Sequence, residues 1–166
     1  LYIGRITVDK GCDEMFEYFK RYKRERSGSL KLVLMGKPFM QVPNHPDIIN
    51  LGFAAEEDKF DALNASEFLI MPSPYESLSM VLLEAWLAER PVLVNKRCDV
   101  LKGQCERSKG GLTYNDYKEF SENMDYLLAN EDSGNILGQH GKEYVLANYS
   151  WDAVERKYIE LINLIA

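Results

Sequence analysis

Two carboxylates, Glu76 and Glu84, stand with seven residues between them in the segment Met71-Pro72-Ser73-Pro74-Tyr75-Glu76-Ser77-Leu78-Ser79-Met80-Val81-Leu82-Leu83-Glu84-Ala85. The prolines hold the chain extended after an apolar run, and Ser77, Leu78 and Ser79 then open a helix whose first backbone N–H groups lack partners within it. Such a terminus is a ready anion site. The residues three and four positions either side of Glu84 are Met80, Val81, Leu87 and Ala88, so this helix is apolar nearly all round and is expected to be buried. A buried carboxylate with no cation at helical spacing must find donors in the fold or in a ligand, or titrate to its neutral form. Hydroxyl groups would serve. On an ideal helix the two carboxylates would lie about 12 Å apart along the axis and roughly 80° around it. With Glu76 on the loop before the first turn, they bracket the anion-binding end of one helix. A plainer reading makes Glu76 a solvated loop residue and Glu84 half of an internal ion pair, an arrangement common in proteins.

A second charged group, Gly4-Arg5-Ile6-Thr7-Val8-Asp9-Lys10-Gly11, places a glycine and a cation at a strand end and Lys-Gly at a helix start. An Arg that forks onto phosphate oxygens and a Lys that adds a point charge are what a diphosphate needs. Alone, this would be an ordinary strand-to-helix loop, since neither GxGxxG nor GxxxxGK[ST] is present. It gains weight only beside Glu76 and Glu84.

To position these groups the chain offers six short apolar runs: Tyr2 to Ile6, Leu30 to Gly36, Ile48 to Gly52, Phe68 to Met71, Val92 to Asn95 and Gly111 to Tyr114. They alternate with segments of helical period, the pattern of a parallel sheet covered on both faces. Cys12, Met15, Phe16, Phe19 and Tyr22 form one apolar helical stripe, and further helices are predicted over Glu56 to Ser66 and Ser79 to Glu89, the latter stopped by Pro91. After Tyr114 three helices follow without a strand: Asp116 to Asn130, Ser133 to Asn148 and Trp151 to Ile165, the last started by Ser150. The fold class is therefore α/β, a Rossmann-like three-layer sandwich with a mainly parallel sheet of about six strands and added C-terminal helices. Ligands of such sheets bind outside the carboxyl ends of the strands.

The 166 residues, 46% hydrophobic and 28% charged, suffice for one core and exclude disordered and disulfide-scaffold classes. A net charge of -6 argues against a nucleic-acid partner held by a general basic field, so any anionic ligand depends on local cations. The sequence begins at Leu1 with an apolar run, as a piece of a longer polypeptide would. It has no apolar stretch near the roughly 18 residues of a membrane span. Cys12, Cys98 and Cys105 show no metal-ligand spacing, and a reducing cytoplasmic setting fits them.

Taken together, these motifs resemble the retaining, nucleotide-sugar-dependent glycosyltransferases of GT-B type, the glycosyl transferases group 1. The resemblance is to their C-terminal, donor-binding domain and runs over nearly the whole chain. Its most specific element is PSPYESLSMVLLEA, with support from YIGRITVDKG, LKLVLMG, IINLGF, FLIMPS, RPVLVN, GGLTY and YSWDAVERKY in that order.

The resemblance implies roles by position. Arg5 and Lys10 match the cations that hold the donor diphosphate and stabilise the leaving nucleotide. Glu84 matches the carboxylate that accepts ribose hydroxyls, and Glu76 the one near the donor sugar. Ser77, Leu78 and Ser79 match backbone donors to phosphate and sugar, Gly4 lies beside the diphosphate, and the base is expected near the loop after Gly36 and near Leu51 to Phe53. The implied reaction transfers a sugar from a nucleoside diphosphate to an acceptor hydroxyl with retained configuration. No cofactor and no metal requirement are implied. The acceptor, a sugar, lipid or protein, would meet an N-terminal domain absent from this chain, and the isolated domain would bind without turning over.

The segment Lys96 to Cys105 departs from the glycine-rich turn common in the family and is read as a loop, with Cys98 and Cys105 as packed thiols. The basic run Lys20, Arg21, Lys23, Arg24 and Arg26 reads as a solvated helix face, with peripheral contact to an acidic membrane as the other reading. Rival functions are a non-catalytic nucleotide-sugar-binding module and a related epimerase or phosphorylase.

Overall fold

Every apolar run predicted as a strand contains one in the computed structural model, which describes residues 1–129 and 131–165. Asn130, predicted to end a helix, lies outside the described residues. Strands β1 (Tyr2–Ile3), β2 (Leu32–Met35) and β3 (Ile48–Gly52) form one parallel sheet in the order β1-β2-β3, and β4 (Leu69–Met71), β5 (Val92–Asn95) and β6 (Gly111–Tyr114) form a second in the order β4-β5-β6. The single six-stranded sheet is thus assigned as two three-stranded ones. They meet edge to edge: the Leu1 amine donates to Phe68 O at 3.0 Å, and Ile70 N donates to Leu1 O at 2.8 Å, as in a parallel pair. The order across both sheets, β3-β2-β1-β4-β5-β6, reverses direction between β1 and β4. That reversal point is where a crevice opens in this fold class.

Side chains on alternate strand positions feed two cores. One face takes Leu32, Leu34, Ile70 and Leu93 and is covered by α1 (Cys12–Glu25), through the predicted stripe Cys12, Met15, Phe16, Phe19 and Tyr22. The opposite face takes Met35, Leu69, Met71, Val92 and Val94 and is covered by α2 (Glu56–Asn64), α3 (Met80–Leu87) and α4 (Asp99–Ser108). Helix α5 (Tyr117–Ala129) adds Phe120, Met124 and Leu127 to the first core, and α6 (Glu131–Tyr149) packs on α3 and α4. In α7 (Trp151–Ile165) only Ala153 is buried; its helix starts as predicted, with Ser150 Oγ accepting from Ala153 N at 3.3 Å. Most boundaries fall within two residues of expectation, and two segments depart further. Strand β1 ends at Ile3: Gly4 still donates from its N–H to Met35 O at 2.9 Å but turns the chain with φ 149°, and Ile6 rejoins only as an isolated bridge to Pro38. The segment Lys96 to Cys105 is mostly helix rather than loop, since α4 is the crossover that parallel β5 and β6 require.

All three cysteines are free and buried, and burial pushes the Cys105 thiol up to about 12. A thiol reagent at pH 8 should therefore label none of them at an appreciable rate in the folded protein, and all three once urea unfolds it. Fast labelling without denaturant would contradict the packed-thiol assignment.

Candidate active site

At the β1/β4 reversal, the loops after the two strands close on each other. A single 3-10 turn, Val8–Lys10, ends at Gly11, whose left-handed φ of 72° favours glycine over a residue with a side chain. A Cβ there would also stand 2.4 Å from Pro72 O, so glycine lets the first loop lie directly on the loop after β4. Tyr2 Oη donates to Arg5 O at 2.6 Å, and burial pushes the phenol far above its ordinary range, so it stays a neutral donor tying down that loop. From below, the buried Asn95 at the end of β5 donates from Nδ2 to Pro72 O at 2.9 Å. Three loops are thereby fixed relative to one another.

This packing brings Lys10 to Glu76, with Nζ 2.7 Å from Oε1 and only 25% and 14% of the two side chains exposed. A cavity of about 170 Å³ opens at this pair, lined by Gly4, Lys10, Pro72, Glu76, Ser79 and Met80 among others. A more open groove of about 580 Å³ continues from the same Lys10 and Glu76 past Tyr75, Ser77, Arg97 and Asp99. The smaller cavity faces the N-terminus of α3, whose capping residue Ser79 holds φ 66° and accepts from Leu82 N through Oγ at 3.4 Å, whereas the groove is bounded by Cys98, Asp99 and Val100 at the start of α4. A non-glycine residue held at positive φ next to a cavity is strain of the kind concentrated at functional sites. The free N–H groups of the first turn and the Lys10 ammonium therefore converge on one small space.

Glu84 lies one turn further along α3. Its Oε1 accepts from Lys59 Nζ at 2.8 Å, while Oε2 is buried without a partner. The sequence showed no cation at helical spacing because the partner comes from α2. The plainer reading therefore holds for Glu84 as an internal ion pair, with its second oxygen left open, but not for Glu76, which is paired with Lys10 and mostly buried rather than solvated. The expectation that α3 is buried nearly all round is corrected too: Leu82, Leu83, Ala85 and Trp86 are buried, but Met80 and Leu87 are exposed. Its apolar outer positions line the site and surface rather than the core.

Not every predicted residue joins this cluster. The Arg5 side chain is exposed and makes no hydrogen bond or ion pair among the described residues; it stands at the rim of the loop rather than in the cavity. Phe53 is 88% exposed and lines neither hollow. Leu78 is half-buried against the second core, so of the three predicted backbone donors only Ser77 and Ser79 border the openings. Conversely, Arg97 was not singled out. Its Nε and backbone N donate to Asn95 Oδ1, at 3.1 and 3.0 Å, and its Nη2 pairs with Glu14, which fixes the guanidinium in the groove wall. The only signal was an asparagine ending an apolar strand. The basic run on α1 is largely spent on the protein itself: Lys20 pairs with Glu17, Arg21 with Glu25, Lys23 with Asp47 and Arg26 with Asp125, leaving Arg24.

A third hollow, of about 560 Å³, lies at the amino ends of the strands among Leu1, Leu32, Phe68 and Met124, away from these loops. Among the described residues no three His, Cys, Asp or Glu side chains gather as a metal site, and no helix is long and apolar enough to cross a membrane.

The profile of the family described as glycosyl transferases group 1 matches residues 1–130. A lipopolysaccharide 1,2-N-acetylglucosaminetransferase of Salmonella typhimurium is 26% identical over 96% of this chain and 46% of its own length. The chain spans about half the length of the curated relatives it matches. Among solved structures, Anabaena HepE in complex with UDP superposes with a TM-score of 0.80 at 13% identity, covering 98% of this chain and 47% of that one. The C-terminal domain of a glycosyl transferase group 1 family protein, LpcC of Francisella tularensis, matches 90% of this chain and 85% of its own with a TM-score of 0.73 at 18% identity.

Proposed function

Given that the chain belongs to the glycosyl transferases group 1 family, we propose that it is the donor-binding domain of a retaining glycosyltransferase and takes a nucleoside-diphosphate sugar at the β1/β4 crevice. The observation that carries this reading is the convergence of Lys10, Glu76 and the N-terminus of α3 on one cavity. The diphosphate lies against the Lys10 ammonium and the first-turn N–H groups, with Arg5 closing from the rim. The sugar extends into the groove past Ser77, where Glu76 accepts its hydroxyls. Glu84 accepts ribose hydroxyls, and the base lies toward Gly36 and Phe53.

Transfer breaks the bond between the anomeric carbon and the terminal phosphate oxygen as an acceptor hydroxyl bonds to the same face and passes its proton to that departing oxygen. Negative charge grows on the departing diphosphate, where Lys10, Arg5 and the helix N-terminus stabilise it most. The acceptor is supplied by a further, N-terminal domain of the full-length protein, so this domain by itself binds donor without turnover.

Calorimetric titration with UDP, GDP and ADP, with and without magnesium, tests the reading. One of the three should bind, and Lys10→Ala should weaken it by about 10- to 100-fold, the worth of a charge-assisted phosphate contact. Arg5→Ala, at the rim, should cost less. If none of the nucleotides binds, or Lys10→Ala leaves affinity unchanged, the diphosphate assignment is wrong.

A further inference from the structure

Glu84 presents a specific physical problem. It sits on an apolar helix with its side chain only 16% exposed, one oxygen paired and the other buried without a donor among the described residues. The paired oxygen is held by Lys59, which is itself only 14% exposed and also bonds Glu56 at 2.5 Å. Burial alone would lower the Lys59 ammonium, but the hydrogen bonds to Glu56 and Glu84 outweigh it and raise it, so the charge is secure at neutral pH. Lys59 lies in the first turn of α2, immediately after the Gly52 to Ala55 loop that follows β3. It therefore ties that loop's helix to the carboxylate on α3.

We infer that Lys59 is a positioning residue for nucleotide recognition: by pairing with Oε1 it holds the Glu84 carboxylate in one rotamer for a ribose hydroxyl. This rests on the donor-binding role proposed for Glu84. An acceptor held in one rotamer by an ion pair loses little entropy when it binds. Without Lys59 the carboxylate would be free to rotate and would no longer distinguish a ribose from a sugar lacking the hydroxyl.

The test compares UDP with 2′-deoxy- and 3′-deoxy-UDP, or the corresponding guanosine or adenosine series if that base is the one that binds. The wild-type full-length protein should prefer the ribonucleotide by about tenfold or more over at least one deoxy form, the worth of one hydrogen bond to a charged group. Lys59→Met should bring that ratio down to about two or less, while affinity for the deoxy form hardly changes. Lys59→Arg should retain most of the preference. In a Glu84→Gln background, already without the preference, Lys59→Met should have no further effect on it. A merely structural lysine would weaken both nucleotides together, so an unchanged ratio in folded Lys59→Met overturns the inference. Should Lys59→Met not fold, loss of the preference in folded Lys59→Arg with normal deoxynucleotide affinity supports it, and parallel weakening of both overturns it. No binding of any nucleotide by the wild type would instead fail the donor-site reading itself, and binding without any ribose preference would fail the role of Glu84.

Discussion

Replacing Glu76 with glutamine in the full-length protein should lower sugar transfer by about a thousandfold, as expected for losing hydrogen bonds to sugar hydroxyls that strengthen in the transition state. Nucleoside diphosphate should bind at least as tightly as before. The second part follows from the ion pair in which Glu76 Oε1 holds Lys10 Nζ at 2.7 Å. A diphosphate must share or displace that carboxylate, and its own charge is repelled by it. Glutamine keeps the shape and removes both obstacles. The gain should be modest, about threefold, because partly exposed ion pairs are typically worth less than 1 kcal/mol. Turnover numbers and calorimetry on the same preparation decide the matter. Normal turnover would remove Glu76 from the donor site, and a parallel loss of nucleotide affinity would mean that it only holds the loop.

Trp86→Ala should destabilise the protein by about 3–5 kcal/mol, a large share of the roughly 5–15 kcal/mol that keeps a domain folded. The indole is completely buried, packs edge-on to Tyr144 at 5.9 Å, and donates from Nε1 to Gly110 O at 2.8 Å. Gly110 and Gly141 are shaped to it: a Cβ at either would come within 2.6 and 2.2 Å of the ring. The cavity left by alanine is therefore walled by backbone, which cannot easily collapse into it. Trp86→Phe should cost less, keeping most of the volume and losing chiefly the hydrogen bond to Gly110. Urea unfolding of the three proteins at constant slope gives the comparison. An alanine midpoint shift equivalent to under about 1 kcal/mol would show that α3 and α6 can close over the gap.

Trp86 also marks where local patterns stop being informative. Strands β4 and β5 were legible because a short apolar run flanked by helical segments has few other solutions in a chain this long, and the α1 stripe because its spacing matches the helical period. Cys98 and Cys105 could be read as packed thiols from their residue type and are buried on or beside α4. Helix α4 was not legible in itself: Gly103 interrupts it and its polar residues spread around the axis. Only the need to carry the chain from β5 to a parallel β6 makes that segment helical.

For the site, the sequence by itself determined which chemistry is available: two carboxylates at one helix, two cations in the first loop, and a helix start suited to an anion. Their type and order survive translation into structure because the strand ends bring the first loop and the loop after β4 to one crevice. Tertiary structure alone decided the partners. Lys10 meets Glu76 across 66 residues, and Arg97 reaches Glu14 across 83. Lys59 comes from α2 to hold one oxygen of Glu84 and leave the other. It also decided that Arg5 stays at the rim and Phe53 in solvent. The physical reason is that a side chain's period records which face it lies on, whereas an ion pair is set by distances between elements, which depend on how the two sheets and their covering helices close together.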